Sequence, residues 1–271
     1  YDQQWAKLAA FREGIHLLLG SVFAHLPERA RMLCVGAGTG AEIHSLASRF
    51  PAWAFTAVEP SSGMVAVAQQ RAKDHGYADR CTFHTGYLDT LPDSAPFDCA
   101  SSLLVSQFIL NQEDRTRFFS AVASRLNSDG MLVSSDLASD TSTEAYRSLL
   151  AVWLRTMAAA DVSPERVLQM QEAYAKDVAI LPPQQVAALI SSAGFEAPVQ
   201  FYQAGLFTLG THNVCRVDAE GRPARHAAQR HWCVHARLVL VGSHKQNLLG
   251  DRDALDETDP VHRNDQGACG R

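Results

Sequence analysis

Met32-Leu33-Cys34-Val35-Gly36-Ala37-Gly38-Thr39-Gly40-Ala41-Glu42 is the stretch that decides the fold of this chain. An apolar run leads directly into three closely spaced glycines, and a helical pattern follows from Gly40 to Arg49. Glycines let a ligand approach the backbone, and the start of the helix offers unpaired N–H groups and the positive end of its dipole. The stretch therefore predicts a strand, a turn and a helix that bind a nucleotide-like ligand.

The spacing of the glycines fits two classes of ligand. Gly36-x-Gly38-x-x-Ala41 satisfies the dinucleotide fingerprint, whereas Gly36-x-Gly38-x-Gly40 is the form seen in proteins that bind S-adenosylmethionine (SAM). Glu59 ends the next apolar run, so we expect its carboxylate at the carboxyl end of a strand, where it can hold both hydroxyls of a ribose. NAD enzymes and SAM enzymes share that geometry, so both ligands stay open at this point.

Composition limits the class of protein. The chain has 271 residues, 46% of them hydrophobic, which suffices for one α/β domain with additions. The longest apolar run, from Ile15 to Leu26, contains His16, Gly20, Ser21 and His25 and is too short for a bilayer, so we expect no membrane span. A net charge of −5 argues against nucleic acid as a direct partner. Six cysteines without a C-x-x-C pair indicate a reducing compartment, which predicts a cytoplasmic protein.

The order of apolar patterns predicts the domain organisation. Residues 1–30 read as a helical cap, and strands and helices then alternate through residues 31–216. The turn Asn127-Ser128-Asp129-Gly130 predicts a left-handed stop before a strand at Met131 to Ser135, and two long helical patterns form an insertion at 141–180. A closing hairpin from Phe195 to Val217 completes a three-layer, Rossmann-like, mostly parallel sheet of seven strands.

Residues 217–271 form a tail of different composition. Six of the eleven histidines lie from His212 onward, and Arg237 to Val241 competes with the hairpin for the last strand position. His231, Cys233 and His235 share one face of an extended strand, but without a fourth ligand we assign no metal site.

Several blocks resemble the class I SAM-dependent methyltransferase family. Val58-Glu59-Pro60-Ser61-Ser62-Gly63-Met64 is similar to that family's acidic-x-Ser-x-x-Met signature, and Asp98 opens a fourth strand as in its later blocks. A nicotinamide dehydrogenase would need a further catalytic domain or a Tyr-x-x-x-Lys pair, and the sequence has no Tyr with Lys four residues on. The resemblance covers about residues 1–210 and implies SAM as the cofactor, with an NAD-binding oxidoreductase as a further alternative.

The resemblance also implies which residues bind the cofactor. The glycines would border its methionine part, Glu59 the ribose, Met64 the adenine, and Arg12 its carboxylate, while Tyr87 stands where the family often has an Asp that meets the adenine amine. The complete set of expected cofactor residues is Arg12, Gly36, Ala37, Gly38, Gly40, Glu59, Pro60, Ser61, Met64, Tyr87, Leu88, Ser101 and Ser102.

A closer resemblance leads to an alternative activity. Leu104-Val105-Ser106-Gln107-Phe108-Ile109-Leu110 looks like the block after the fourth strand in enzymes that make carboxy-SAM for wobble-uridine modification of tRNA, and the long helical insertion is similar too. Ala37 stands where those enzymes commonly have Cys, and Cys34-Val35 stand where they have an Asp before the first glycine. An additional carboxylate on that ligand would need an Arg such as Arg147 or Arg155. A SAM-binding protein without turnover is a third possibility.

Methyl transfer defines the remaining expectations. Because the positive charge of the sulfonium disappears as the methyl group leaves, alignment in a dry, lidded pocket supplies much of the acceleration. We expect Asp136, at the carboxyl end of the fifth strand, to serve as a catalytic base where the small-molecule acceptor needs one, with His16 as second choice. Tyr146 and Met157 belong to the candidate lid, and the expected substrate contacts are Gln107, Phe108, Trp153, Tyr174 and Tyr202. The sequence is compatible with a homodimer.

Overall fold

The protein is described here by a computed structural model that covers residues 8–159 and 163–215. Its first part is a regular alternation of strands and helices. The elements are α1 (Ala9–Val22), β1 (Arg31–Val35), α2 (Ala41–Arg49), β2 (Ala54–Glu59), α3 (Ser62–Asp74), β3 (Cys81–Thr85), β4 (Phe97–Leu103), α4 (Gln112–Ala123) and β5 (Leu126–Leu137). The second part contains α5 (Glu144–Ala159), α6 (Pro164–Lys176), α7 (Pro183–Ser192), β6 (Val199–Ala204) and β7 (Phe207–Asn213).

The seven strands form one sheet in the order β3-β2-β1-β4-β5-β7-β6. The first five strands pair in parallel, whereas β7 runs antiparallel to both β5 and β6. The chain leaves β1 toward β2 on one side and returns to β4 on the other, so the order of strands reverses at β1. Open α/β sheets bind their ligands at the carboxyl ends of the strands beside such a reversal, and the glycine turn follows β1 there. The α/β fold class expected from the sequence is confirmed.

Two apolar layers hold the helices against the sheet. Helices α1 and α2 bury Leu19 and Ile43 on one face, together with Trp53 of the β2 approach. Helices α4 and α7 bury Phe119 and Ile190 on the other face. The strands between the layers are buried on both sides, which explains why β1 reads as an uninterrupted apolar run.

The fifth strand differs from the expectation. It begins at Leu126 instead of Met131, and Gly130 has no left-handed backbone among the residues described. A shift in register between Phe97 and Cys99 lets β5 pair with β4 on both sides of the polar Asn127-Ser128-Asp129 segment. Asn127 itself is tied to β4, because its side-chain amide donates a hydrogen bond to Asp98 Oδ1 over 2.8 Å. The turn predicted at 127–130 is therefore wrong, since strand pairing overrides the local turn preference.

The hairpin at the end of the sheet sits slightly later than expected. Its first strand begins at Val199, while Phe195 makes only an isolated bridge to Val214. Gly205 takes a φ of +60° in the tight turn before β7. Within the described residues no helix is both long enough and apolar enough to cross a membrane. The tail from residue 217, including His231, Cys233, His235 and Arg237 to Val241, lies outside the described part.

Candidate cofactor site

The glycine turn after β1 has a backbone that requires glycine. Gly36, Gly38 and Gly40 have φ values of +73°, +54° and +73°, and Gly40 is the residue before the first turn of α2. The amides of Gly36 and Ala37 both donate to the carbonyl of Val58, over 2.8 and 3.2 Å, so the turn is fastened to β2. A Cβ on Gly36 would lie 2.3 Å from Val105 Cγ2, whereas a Cβ on Gly38 would meet nothing within 4 Å. The turn is therefore closed at Gly36 and open at Gly38, where a ligand can reach the main chain.

Glu59 connects this turn to the start of α3. Its Oε2 accepts a hydrogen bond from the Gly38 amide at 3.0 Å, and its Oε1 accepts one from the Ser61 amide at 2.9 Å. The side chain is buried, with 8% of its surface exposed. An ionised carboxylate has about four acceptor positions, so two remain after these bonds. Glu59 is thus oriented by two backbone amides and can still accept hydrogen bonds from a pair of hydroxyls.

Glu42 is a candidate functional residue that the sequence reasoning missed. It lies in the first turn of α2, and its Oε1 and the nearby Ser101 Oγ are buried without a hydrogen-bond partner among the described residues. Burial raises the pKa of the Glu42 carboxyl to about 7, and the Ser101 hydroxyl opposes this rise. The Glu42 carboxyl and the Ser101 hydroxyl therefore face each other beside the glycine turn, where both can contact a ligand with hydrogen-bond donors.

Cys34 of β1 is a neighbour of Glu42. The thiol of Cys34 is fully buried at the end of β1, and its pKa is raised by burial and then by the charge of Glu42, which makes the two groups neighbours. The sequence did contain one signal: Cys34 and Val35, which are uncharged when buried, stand where an Asp was expected before Gly36. The acidic group near the turn comes instead from Glu42 of α2. The alternation of residue types along one element could not show this, since the two groups belong to different elements.

The segment after β4 closes the other side of the turn. Leu104 has a φ of +57°, a left-handed conformation that is unusual for leucine, and its amide donates to the carbonyl and the hydroxyl of Ser135. This conformation puts the side chain of Val105 over Gly36. Ser101 and Ser102, both expected at the sulfonium, have buried hydroxyls without a partner in the part of the chain that the structure describes. Both serines lie in the carboxyl half of β4 and pair with Cys34 and Val35 just before the glycine turn, but their side chains point to opposite faces of the sheet.

The expected adenine side is less complete. Met64 is partly buried at the start of α3, where its amide donates to Ser61 Oγ over 3.4 Å, and Pro60 is exposed. Tyr87 is 69% exposed, so its side chain stands free at the surface, whereas Leu88 packs in the core with Val58. Leu88 can thus shape this end of the site only through its backbone. The adenine roles of these residues stay predictions.

Arg12 lies in a cleft formed by α1, α2 and α3. The cleft has a volume of about 450 Å³ and is lined by Arg12, His16, Ala41, His44 and Arg71, together with Ala9, Glu13 and Ser45. Burial, followed by the charge of Arg12, lowers the pKa of His16 to about 4. His16, the second choice for a base, is therefore neutral over most of the physiological range. Arg12 and Arg71 give the cleft a positive character beside the first turn of α2, which suits a carboxylate.

The aromatic candidates for substrate contact form one layer. Phe11 of α1 packs against Trp153, Tyr202 and Phe207, with ring centroids 5.1 to 6.3 Å apart. Trp153 Nε1 donates to the hydroxyl of Tyr174 over 2.9 Å, which joins α5 to α6. The structure brings Trp153, Tyr174 and Tyr202 together, as expected of a lid. The indole nitrogen of Trp153 and the hydroxyl of Tyr174 are thus engaged with each other inside this aromatic layer.

Gln107 and Phe108 lie apart from that layer, in the short helical turn after β4. Gln107 is 4% exposed, its Oε1 accepts from the Leu137 amide at 2.7 Å, and its carbonyl accepts from the Ala179 amide at 2.8 Å. Gln107 thus fastens β5 and the segment after α6 to this turn, and it has little freedom to contact a substrate. Phe108 is 61% exposed.

Asp136, the expected base, is engaged in an internal ion pair. Its Oδ1 lies 3.0 Å from Arg115 Nη2 and accepts a hydrogen bond from Ser106 Oγ at 2.7 Å. Arg115 is completely buried and also donates to the carbonyl of Ala179. Burial raises the pKa of Asp136, and the Arg115 charge opposes the rise. Its side chain points to the face of the sheet covered by α4 and α7, so these contacts favour a structural role, while the catalytic role stays a prediction.

Comparison with known proteins agrees with this geometry. Residues 32–130 match a family model described as a methyltransferase domain. An uncharacterized protein from Synechococcus sp. is 36% identical over 105 residues, which is 38% of this chain and 24% of that protein. The chain thus matches about a quarter of the length of this curated relative.

Two solved structures share the fold. A Nostoc punctiforme protein described as an O-methyltransferase superposes on this chain with a TM-score of 0.58 and 13% sequence identity. The match covers 78% of this chain and 59% of that one. A family 2 O-methyltransferase from Planctomyces limnophilus, solved with apigenin, has a TM-score of 0.52 at 15% identity, over 75% and 62% of the two chains. Residues 32–130 are thus similar to a methyltransferase domain, and the chain shares its fold with these two solved structures.

Proposed function

We propose that this protein binds SAM and transfers its methyl group to a small-molecule acceptor. The observation that carries the proposal is the set of unsatisfied acceptors around the glycine turn: the free positions on Glu59 and the buried Oε1 of Glu42. A nucleoside with two ribose hydroxyls and a free ammonium group would satisfy both carboxylates. When bound, SAM supplies an electrophilic methyl group on a sulfonium.

The residues of the chain would hold that cofactor along the edge of the sheet. Glu59 accepts from the ribose hydroxyls, the open backbone at Gly38 lets the ligand lie against the turn, and Glu42 with Ser101 accepts from the ammonium of the methionine part. Arg12, in the positive cleft beside α2, meets the carboxylate. Leu103 at the end of β4, on the same face as Ser101, then faces the sulfonium. Contacts to the ribose, the ammonium, the carboxylate and the sulfonium of the cofactor together fix the direction in which its methyl group points.

The aromatic layer would exclude water from the acceptor. Phe11, Trp153 and Tyr202 present apolar ring faces, and the bond between Trp153 and Tyr174 holds α5 and α6 together. A flat, largely apolar acceptor suits such walls, and the structurally similar protein from Planctomyces limnophilus was solved in complex with apigenin, a flat molecule. His16 is a weak base because its pKa is lowered to about 4, and Asp136 is ion-paired. These residues supply no effective base, so the acceptor that fits best ionises readily by itself, as a phenol does.

No observation specifically favours either alternative activity, carboxy-SAM synthesis or NAD-dependent oxidoreduction. Arg147 pairs with exposed Glu144 on α5, and Arg155 is exposed, so neither is committed to an extra carboxylate on the cofactor. An antiparallel β7 inserted between β5 and β6 departs from the strand order 3-2-1-4-5-6 of dinucleotide-binding sheets.

Titration calorimetry with SAM, S-adenosylhomocysteine and NAD tests the proposal. We expect the first two to bind, NAD not to bind, and Glu59→Gln to weaken the affinity at least tenfold because a charge-assisted hydrogen bond contributes about 1.5–3 kcal/mol. Glu28→Gln, on an exposed residue before β1, is the matched control and should bind like the unmodified protein. Binding of NAD without binding of either adenosyl compound would overturn the proposal.

A further inference from the structure

A second cavity lies on the opposite face of the sheet, away from the glycine turn. It has a volume of about 210 Å³ and lies between α7 and the strands β5, β6 and β7. Its walls are the apolar side chains of Val186 and Ile190 and the strand residues Thr208 to Gly210. Gln184 and Gln200 are exposed at its rim, so the cavity is accessible from solvent.

The floor of the cavity contains a histidine with an unused nitrogen. His212 is 3% exposed, its Nε2 lies 2.9 Å from Ser134 Oγ, and its Nδ1 is buried without a hydrogen-bond partner among the described residues. Gly210 precedes it on the same face of β7, and the absence of a side chain there keeps the space in front of the ring open. Leaving a buried nitrogen unpaired costs free energy, which a bound molecule that pairs with it would recover.

The charges around the cavity define the class of molecule. Burial lowers the pKa of His212 to about 4, so the imidazole is neutral near pH 7. The only carboxylate that lines the described cavity, Asp136, is already neutralised by Arg115. An added anion or cation would find no free countercharge, and burying an unpaired charge is costly. The cavity volume equals that of about seven waters, so an occupant has roughly seven to ten non-hydrogen atoms.

We propose that this cavity is a binding site for a small uncharged molecule with an apolar body and one hydrogen-bonding group, which contacts His212 Nδ1. Such a molecule would lie against Asp136, whose partner Ser106 belongs to the turn that carries Gln107 and Phe108. Occupation of the cavity is thereby connected, through one ion pair and one hydroxyl, to the segment that closes the cofactor site.

The test uses benzamide and benzoate, which have nearly the same shape and differ in charge. The ring nitrogens of His212 in the ¹⁵N-labelled protein report on binding in heteronuclear NMR, and His212→Phe identifies their resonances. We expect benzamide to shift them with a saturable dissociation constant, and benzoate to bind at least tenfold more weakly.

Two neighbouring alanines of α7 supply matched variants. Ala187 lines the cavity, whereas Ala188 is exposed on the same helix and does not. Ala187→Leu fills the cavity and should abolish the shift, and Ala188→Leu should leave it unchanged. The proposal is overturned if benzamide leaves the His212 resonances unmoved, if Ala187→Leu binds as well as Ala188→Leu, or if benzoate binds equally. Near-ultraviolet circular dichroism verifies that each variant is folded.

Discussion

Replacing Glu42 by glutamine should change how stability depends on pH. Glutamine keeps the shape of the side chain and stays neutral, so the variant removes only the ionisation of the carboxyl. The pKa of Glu42 rises from its ordinary value of 4.5 to about 7 because the group is buried. An acid with a raised pKa in the folded state binds more protons there than in the unfolded chain, so ionisation penalises the fold once the pH exceeds the unfolded pKa.

The size of the effect follows from the two pKa values. Below pH 4.5 the carboxyl is protonated in both states and contributes no penalty. The penalty grows between the two values and becomes constant above about 7, where it reaches about 3 kcal/mol, since each unit of pKa shift corresponds to about 1.4 kcal/mol. Glu42→Gln should therefore exceed the unmodified protein in stability by about 1 kcal/mol at pH 5 and about 3 kcal/mol at pH 8.

Urea unfolding of both proteins at the two pH values measures this difference. Other titrating groups, such as His16 and His212, contribute equally to both proteins and cancel in the comparison at each pH. A stability difference that is the same at pH 5 and pH 8 would refute the raised pKa and the burial argument behind it.

The same carboxyl should report on the ligand. At pH 6.5 Glu42 is mostly protonated, and an ammonium placed against it favours the ionised form, so binding of S-adenosylhomocysteine should release most of one proton. Calorimetry in phosphate and in Tris buffer separates that proton from the heat of binding. Glu42→Gln should bind more weakly and release none; binding with equal proton release would exclude Glu42 as the ammonium contact while leaving the proposed function intact.

Three further predictions concern the turn, the ion pair and the end of the chain. Gly36→Ala should destabilise the fold by about 2–4 kcal/mol in urea unfolding, because the added Cβ meets Val105 and the backbone is left-handed. Gly38→Ala should cost only about 1 kcal/mol in the same measurement, yet it should weaken the binding of S-adenosylhomocysteine at least tenfold. Asp136→Asn should destabilise the fold by about 3–5 kcal/mol because it leaves the buried Arg115 charge unpaired, and Asp93→Asn is the surface control. If the turnover of Asp136→Asn stays within about threefold of the unmodified enzyme across pH, Asp136 is excluded as the base. A chain ending after Val217 should keep a cooperative thermal transition, whereas one ending after Gly210 should lose it. The reason is that β7 continues to Asn213 and that the Cys215 amide donates a hydrogen bond to the Gly194 carbonyl. Equal thermal transitions of the two chains would show that residues 211–215 are not needed for the fold.

The strands and the turn of the first half were predictable because each depends on neighbours in sequence. An apolar run such as Met32 to Val35 is a strand buried on both faces, and the glycines after it are needed where the backbone is left-handed. Glu59 was predictable for the same reason, since the end of a strand determines where its side chain lies. The early start of β5 was not, because a shift in register against β4 lets polar residues pair as strand.

The partners of buried polar groups could not be read from the sequence. Arg115 looked like one of several charged residues at the start of a helix, and only the fold brings it to Asp136, 21 positions later along the chain. Gln107 likewise fastens two segments that follow it instead of facing a substrate. A residue type and a place at a strand end predict where a side chain lies, but the contacts that occupy its polar atoms depend on the packing of distant elements.

Satisfaction of buried polar atoms separates structural from ligand-binding acids in this fold. Asp136 lies at a strand end, where catalytic groups are common, yet Arg115 and Ser106 occupy Oδ1 and its charge is neutralised. Glu42 has no place in the expected motif, yet it keeps an unpaired oxygen beside the glycine turn. An unpaired buried acceptor costs free energy in the empty protein, and a bound molecule that donates to it would recover that cost. The same reasoning applies to Nδ1 of His212 on the other face of the sheet, and it makes the ammonium of the cofactor and the occupant of the second cavity separately testable.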